Sequence, residues 1–257
     1  MHILVTNDDG ITAPGLLALA QAMQPLGKVS ILAPDRNWSA SGHVKTMDRP
    51  LRAKPVLLAD GTPALASDGA PSDCVALALM GLVPEKVDLV VSGINSGANF
   101  GLDLTYSGTV TAAMEGAIFG IPSLAFSLNV SDETPQPVDY GPAVQVARLI
   151  AYQMVGRSLP TNTLLNVNIP ALPYEKIRGY RITRQGTRIY RDRLLQREDP
   201  RGRPYYWIGG DAPTGVPEAG TDFGELDAGF VTITPVQLDL TAYSFMPELE
   251  KWIWEEQ

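Results

Sequence analysis

Short apolar runs alternate with longer amphipathic stretches along the first 130 residues of the chain. Four of the runs, "HILVT", "VSILAP", "KVDLVVSG" and "PSLAFS", have the length and composition of buried strands. The stretches between them predict three helices: one that Pro14 opens and Gly27 follows, one capped by Ser72, and one over residues 107–120. Strands that alternate with helices predict a mostly parallel sheet with helices on both faces.

The second half of the chain begins in the same way and then changes character. Residues 140–156 predict one more amphipathic helix, and residues 163–170 predict one more strand. Charged and aromatic strands follow ("GYRITRQG", "RDRLLQ", "RPYYWIGGD"), with a hairpin turn at "EDPRGRP", a strand at "GFVTITP" and a terminal helix at "MPELEKWIWEEQ". We expect an α/β core over residues 1–135. Residues 136–257 should complete that core and add a β-hairpin arm and a C-terminal helix.

Composition narrows the class of protein. The chain has 257 residues, 45% of them apolar, which is enough to bury a large core. No apolar run approaches the roughly eighteen residues that a membrane span needs, and the first residues do not predict a signal peptide. Cys74, the single cysteine, has apolar neighbours and is expected to be buried, which fits a reducing compartment. We therefore predict a cytoplasmic location and no membrane partner.

Charge is distributed unevenly along the chain. The net charge of −8 argues against a stable nucleic-acid partner. Residues 176–203, however, hold ten basic and three acidic side chains, so this segment carries +7 and the rest of the chain carries −15. Two explanations fit such a segment: a solvated hairpin, or a surface that contacts another subunit.

Unusual polar clusters follow three of the predicted strands. "NDDG" follows "ILVT", "PDRNWSASGH" follows "VSILA", and "SGINSGAN" follows "DLVV". In an open parallel sheet, ligands bind in the crevice beyond the carboxyl ends of the strands. One such cluster could be an ordinary turn, but three at equivalent strand ends indicate a binding site.

The chemistry on offer in these clusters is almost wholly oxygen. Carboxylates, hydroxyls and amide oxygens are the ligands of hard divalent ions, and the residues that supply them are Asp8, Asp9, Ser39, Ser41, Asn95 and Asn99. Adjacent carboxylates on a regular strand point to opposite faces, so the chain has to bend, and Gly10 would permit that bend. The alternative is that one aspartate binds metal and the other caps the helix that begins near Pro14.

A second candidate feature lies at "YSGTVTAAMEG", where Ser107, Gly108 and Thr109 occupy a predicted helix N-terminus. Free N–H groups and the helix dipole favour phosphate at such a position, although ordinary helix capping needs the same residue types. The chain contains neither a Walker lysine motif nor GxGxxG, which argues against nucleotide triphosphatases and dinucleotide enzymes. Metal-assisted phosphoester hydrolysis is the leading reaction class.

The ordered motifs resemble one known family. "ILVTNDDG", "PDRNWSASGH", "SGINSGAN", "YSGTVTAAMEG" and "GFVTITPVQLDLT" occur in the same order as in the SurE family of 5′/3′-nucleotidases. The resemblance implies a Rossmann-like α/β core, an extended C-terminal arm, and a divalent-metal phosphatase that acts on nucleoside 5′- and 3′-monophosphates. Some relatives also cleave short polyphosphate. The resemblance further implies a homodimer or homotetramer assembled through the arm.

The resemblance also assigns individual residues. Asp8, Asp9, Ser39 and Asn95 would hold one divalent ion per subunit, Mg²⁺ or Mn²⁺. The phosphate-binding residues expected from these motifs are Ser41, Gly42, Asn99, Ser107, Gly108 and Thr109. One departure is Ala40, which stands where glycine is frequent in the family, and residues 190–220 are the least recognisable part of the chain.

We expect direct attack of water on the phosphate and not a phospho-enzyme, because no residue shows an evident activating base for a nucleophile. Asp8 or Asp9 would orient or deprotonate that water. The rival is a non-catalytic nucleotide sensor that uses the same crevice. Trp38 and His43 could supply a face for a nucleobase, although Trp38 equally suits a core or subunit contact.

Overall fold

The computed structural model describes residues 1–131, 133–252 and 254 of the chain. Eleven strands are present in this part: β1 (His2–Thr6), β2 (Lys28–Pro34), β3 (Ala53–Leu57), β4 (Pro63–Ser67), β5 (Leu89–Ser96), β6 (Ser123–Asn129), β7 (Thr163–Pro170), β8 (Tyr180–Ile182), β9 (Arg188–Glu198), β10 (Pro204–Gly215) and β11 (Val231–Gln237). The α-helices are α1 (Pro14–Met23), α2 (Pro71–Leu77), α3 (Gly108–Ile118), α4 (Gly141–Gln153), α5 (Asp222–Asp227) and α6 (Met246–Leu249).

Nine strands form one sheet in the order β3-β4-β2-β1-β5-β6-β7-β11-β8. The six strands from β4 to β7 are parallel, whereas β3 is antiparallel to β4 and β11 is antiparallel to β7. The expectation of a Rossmann-like, mostly parallel α/β sheet is therefore confirmed. Strand order reverses between β1 and β5, and such a switch point is where doubly wound sheets bind ligands.

Each face of the sheet is covered by helices because its central strands alternate apolar side chains between the two faces. Ile3 and Val5 of β1 pack in the cluster that contains α1 and α4, whereas Leu4 packs in the cluster that contains Cys74 of α2 and Ala112 of α3. All five residues of β1 are buried. Burial on both faces is the reason that the strand reads as an unbroken apolar run.

A separate two-stranded sheet, β9 with β10, forms the arm. It is a long antiparallel hairpin whose turn is closed by the Asp199 amide donating to the Arg203 carbonyl at 2.9 Å. Tyr205, Tyr206 and Trp207 on β10 are exposed, at 41%, 57% and 64%. The hairpin predicted from "EDPRGRP" is confirmed, and each of its strands is longer than its sequence pattern indicated.

Two local predictions need correction, and one pair of strands was not predicted. The N-cap of α2 is Ala70, not Ser72, because Pro71 starts the helix and the Asp73 carboxylate accepts the Ala70 amide at 2.9 Å. The terminal helix is a single turn, Met246–Leu249, and residues 253 and 255–257 of that prediction lie outside the described residues. The antiparallel pair β3–β4 was missed, since "AKPVL" and "PALAS" carry prolines and small residues that weaken a strand pattern.

Within the described ranges, none of the helices has the length and apolar character required to cross a membrane.

Candidate active site

The "NDDG" segment forms a tight turn directly after β1. Asn7 closes it from both sides, since its Nδ2 donates to the Gly10 carbonyl at 3.0 Å and its Oδ1 accepts the Gly10 amide at 3.2 Å. Gly10 has a φ of +100°, and a Cβ there would lie 3.0 Å from the Arg36 carbonyl carbon. Only glycine tolerates this position well, so the chain bends as the sequence predicted and presents both aspartates at the switch point.

Asp8 is 3% exposed, and its carboxylate is held by the start of α3. Thr109 donates its hydroxyl to Oδ1 at 2.5 Å, and the amides of Gly108 and Thr109 also bond the carboxylate. Burial raises the pKa of Asp8, while these donors act in the opposite direction. The Gly108 Cα lies so close that a Cβ there would be 2.6 Å from Cβ of Asp8. Gly108 thus permits the contact.

Asp9 is more accessible than Asp8 and differs in its surroundings. Burial is the larger cause that raises the pKa of Asp9 to about 6, and the neighbouring charge of Asp8 is the second. A hydrogen bond from the Ser96 amide to the Asp9 carboxylate acts in the opposite direction. Two carboxylates that disfavour each other's ionisation form a site that a cation would stabilise. The Ser96 contact also brings the end of β5 to Asp9, and Asn95 lies next to it in that strand.

Asn95 has one end of its amide already engaged. Its Nδ2 donates to the Gly97 carbonyl at 2.7 Å, which identifies Oδ1 as the acceptor end of the group. This orientation suits a metal ligand, because a cation needs the amide oxygen.

The loop after β2 carries Ser39 and is fastened beside Asp8. The Trp38 amide donates to the Asp8 carbonyl at 2.8 Å, and the Ser39 amide donates to Asn37 Oδ1 at 2.7 Å. The Ser39 side chain is exposed. Ala40 has a φ of 57°, a left-handed conformation that glycine adopts more easily than alanine.

The other end of this loop meets the start of α3. The Gly42 amide donates to the Tyr106 carbonyl at 3.0 Å, and the Thr111 hydroxyl donates to the Gly42 carbonyl at 3.1 Å. Ser41 and Gly42 therefore lie beside the segment that leads into Ser107. The structure brings these candidate phosphate-binding residues together.

Ser107 is the N-cap of α3, and its Oγ accepts the Val110 amide at 3.2 Å. The next two amides, of Gly108 and Thr109, bond the Asp8 carboxylate. The positive end of the helix dipole thus acts on Asp8 in this structure. Capping and support of the aspartate account for the residue types of this turn.

Asn99 lies in a buried polar network, in contrast to its expected place in the open crevice. Its Nδ2 donates to Ser127 Oγ at 2.8 Å, and its amide donates to Asn168 Oδ1 at 2.8 Å. Its carbonyl accepts the side-chain amides of Asn166 and Asn168, both at 2.9 Å. Asn99 holds the loop after β5 to β6 and β7.

Sequence reasoning missed two supports of the site. One is this network, for which the signal was asparagine at alternate positions of the buried strand "LLNVNIP". The other is Glu115 in the apolar helix α3, which is 4% exposed and accepts hydrogen bonds from His43 and Lys45. A lone buried carboxylate in an apolar helix face was the available signal, because such a charge needs partners.

In the part of the chain that the structure describes, no three His, Cys, Asp or Glu side chains come together as a metal-binding group. The donor set that the sequence motifs suggested is instead two carboxylates, one hydroxyl and one amide oxygen. This chemistry fits a hard divalent cation and does not fit zinc.

Comparison with known proteins identifies the family of the chain. A model of the family described as Survival protein SurE matches residues 3–192. The chain is 52% identical over 257 residues to a Chloroflexus aggregans protein named 5′-nucleotidase SurE, a match that covers 99% of this chain and 100% of that protein. A Herpetosiphon aurantiacus protein of the same name is 52% identical over 254 residues, with 99% of each chain covered.

A solved structure is similar throughout. The crystal structure of the SurE protein from Aquifex aeolicus superposes with a TM-score of 0.81 at 41% identity, covering 97% of this chain and 98% of that one. Sequence similarity and shared architecture thus extend over nearly the whole chain. The chain belongs to the SurE family.

Proposed function

We propose that this protein is a metal-dependent phosphomonoesterase that hydrolyses nucleoside 5′-monophosphates to nucleoside and phosphate. The observation that carries the proposal is the convergence of Asp8, Asp9 and the start of α3 at the switch point of the sheet. The relatives described above are named 5′-nucleotidases, which supports the same activity. We extend the substrate range to nucleoside 3′-monophosphates and short polyphosphate, with loose base preference.

Asp8, Asp9, Ser39 and Asn95 would hold one divalent ion per subunit, Mg²⁺ or Mn²⁺. Such an ion, when bound, neutralises charge on the phosphate and lowers the pKa of a bound water. Support comes from the donor set itself. The two carboxylates are adjacent in the chain, and the hydrogen bond that Asn95 donates uses Nδ2 and leaves the amide oxygen available. The raised pKa of Asp9 further supports a cation, since positive charge would relieve the repulsion.

The two aspartates take different roles in this proposal. Asp8 is buried and receives the Thr109 hydroxyl and two backbone amides, so its carboxylate is fixed in one orientation. Asp9 is more accessible, and we assign to it the orientation of the attacking water and acceptance of its proton. The phosphate would contact Ser41, Gly42 and Ser107, where the loop after β2 meets α3.

The rival function is a nucleotide sensor without catalysis. A sensor would also need phosphate contacts, but it would have little use for two carboxylates beside a bound anion, because they repel phosphate. The paired aspartates therefore favour hydrolysis.

The test is phosphate release from AMP, GMP, CMP and UMP with Mg²⁺ or Mn²⁺, beside bis(p-nitrophenyl) phosphate. Asp9→Asn removes a charge at nearly constant volume, so we expect the fold to persist while turnover and metal affinity collapse. Asp60→Asn, in an exposed turn, is the matched control and should retain parental turnover. Full activity in excess chelator or in Asp9→Asn, or faster cleavage of the diester than of every mononucleotide, would contradict the proposal.

We further propose that the arm joins subunits into a homodimer or homotetramer. A two-stranded ribbon is marginally stable by itself, and this one exposes large apolar side chains on both strands, including Ile208 at 83% and Leu194 at 68%. These two residues are paired across the ribbon, so their exposed surfaces adjoin. A partner surface would cover them.

A further inference from the structure

A cleft of about 430 Å³ opens beyond the carboxyl ends of β5 and β6, next to the candidate metal site. This volume falls in the range of roughly 300–1,000 Å³ that is usual for small-molecule sites. The residues around it come from the strand ends, from α5 and from the root of the arm, and those that matter here are Gly97, Phe100, Asn129, Ser131, Arg188 and Phe223.

The cleft and the candidate metal site share a wall. Gly97 lines the cleft, and its carbonyl accepts the bond from Nδ2 of Asn95 at 2.7 Å. The Gly97 amide donates to the Leu128 carbonyl at 2.8 Å, which ties this wall to β6. The group esterified to a phosphate bound near Asn95 would therefore lie next to the cleft.

The inner walls of the cleft are aromatic and apolar. The rings of Phe100 and Phe223 meet edge to face with their centroids 5.4 Å apart, and Pro213 and Leu226 extend the apolar surface. The Arg188 guanidinium lies 5.2 Å from the Phe100 ring centroid. Flat rings pack well in such surroundings.

Polar groups line the rest of the cleft. Asn129, Ser131 and Asp227 contribute an amide, a hydroxyl and a carboxylate, and all three are exposed. An apolar slot with a polar rim matches the two parts of a nucleoside, a flat heterocycle and a sugar bearing hydroxyl groups.

Hydrogen bonds and an ion pair hold the aromatic walls of the cleft in place. Asp222, which is fully buried, accepts the Gly101 amide on Oδ2 at 2.9 Å and the Gly186 amide on Oδ1 at 2.7 Å. Arg188 Nε lies 2.6 Å from Asp103 Oδ2, so the root of the arm is also fixed to the loop after β5. These contacts pre-organise the cleft, which lowers the entropic cost of binding a ligand there.

The alternative aromatic surface, formed by Trp38 and His43, is already engaged. The Arg36 guanidinium lies 5.2 Å from the Trp38 ring centroid, and His43 Nε2 is bonded to Glu115 at 2.8 Å. A base that stacked there would have to displace these partners.

We propose that this cleft binds the nucleoside portion of the substrate, with the base between Phe223 and the apolar wall and the sugar toward Asn129 and Ser131. The proposal rests on the nucleotidase activity proposed above. It adds the prediction that a nucleoside without phosphate binds to the protein.

The experiment is calorimetric titration of the full-length protein with adenosine, which needs no catalysis. Ser131→Trp would fill the mouth of the cleft from an exposed position, and Asn129→Trp would do so from the neighbouring strand end. Ser158→Trp is the matched control, since this exposed serine precedes β7 and so lies toward the amino edge of the sheet. Circular dichroism would verify folding of each variant.

We expect adenosine to bind the parent and Ser158→Trp alike, and to bind both cleft variants at least tenfold more weakly. The KM for AMP should rise by a similar factor in both cleft variants and keep its parental value in Ser158→Trp. Adenosine binding that is equal in all four proteins, or absent from the parent, would overturn the proposal. If the parent protein hydrolysed neither AMP nor p-nitrophenyl phosphate, the nucleotidase activity would be refuted, and adenosine titration would still test the cleft.

Discussion

His43 Nε2 lies 2.8 Å from Glu115 Oε2, although 72 residues separate them along the chain. Lys45 Nζ lies 3.3 Å from the other carboxylate oxygen. We call this contact the Glu115 clamp. It joins the loop that carries Ser39 to the helix whose first turn supports Asp8, so it holds two parts of the candidate site in register.

Breaking the clamp should loosen the loop without unfolding the protein. Glu115→Ala leaves His43 and Lys45 without their buried acceptor, and we expect a loss of about 2 kcal/mol in the free energy of unfolding, as for hydrogen bonds to charged groups. Divalent-metal affinity and kcat/KM on AMP should fall about tenfold, because Ser39 loses its position. Glu115→Gln keeps an acceptor and should recover part of the metal affinity and of kcat/KM. Isothermal titration with Mn²⁺ and steady-state kinetics measure these effects.

Glu248→Ala provides the control, since Glu248 and Lys251 form an exposed ion pair, which contributes little to stability. Parental metal affinity in Glu115→Ala would mean that the clamp has no part in positioning the loop.

Acid should release the same clamp. The hydrogen bond from His43 is the largest cause that lowers the pKa of Glu115, and the charge of Lys45 adds to it, against the opposing effect of burial. A carboxylate whose pKa is lower in the folded than in the unfolded state stabilises the fold at pH values above its ordinary pKa of 4.5. It loses that contribution as the pH falls through its pKa in the folded state. The difference in unfolding free energy between parent and Glu115→Gln should therefore be full near pH 6 and shrink below about pH 4.5. Urea denaturation across this range is the measurement, and a difference that grows in acid would refute the assignment.

Gly108 should not tolerate a side chain. A Cβ at this position would lie 2.6 Å from Cβ and 3.0 Å from Oδ2 of Asp8, so Gly108→Ala must displace the aspartate or the first turn of α3. We expect kcat to fall by at least tenfold, with a smaller loss of stability. Gly141→Ala is a matched control because Gly141 is also the first residue of its helix, and a Cβ there meets only the Asp139 side chain. Equal activity in both variants would show that Asp8 does not need its present position.

Shortening the arm should dissociate the proposed oligomer. Asp192 and Gly210 are paired in the ribbon, so residues 193–209 can be replaced by a two-residue turn that retains Arg188 and its contact with Asp103. We expect light scattering to report the mass of a monomer for this variant and a multiple of it for the parent. High salt should weaken the parental assembly, since the segment 176–203 carries +7 and the rest of the chain −15. An unchanged native mass in the shortened variant would refute assembly through the arm.

Local patterns in the sequence were sufficient to predict the architecture and to select candidates for the site. Apolar runs and helix-start signals such as Pro14 are local, so they predict the strands and helices of an α/β sheet without knowledge of its partners. Polar clusters at the ends of β1, β2 and β5 also predict a common crevice, because parallel strands bring their carboxyl ends to one edge. Asp8 and Asp9 could be selected as candidates for this reason.

Which distant residues support these aspartates depends on tertiary packing. Glu115 meets His43 across 72 positions and Asn99 meets Asn168 across 69, and no periodic pattern encodes such a pairing. The amides of Gly108 and Thr109 bond Asp8, a choice that depends on how closely α3 approaches β1. Sequence patterns report which face of an element is apolar, whereas a hydrogen bond depends on distances of a few tenths of an ångström that packing of the whole sheet sets.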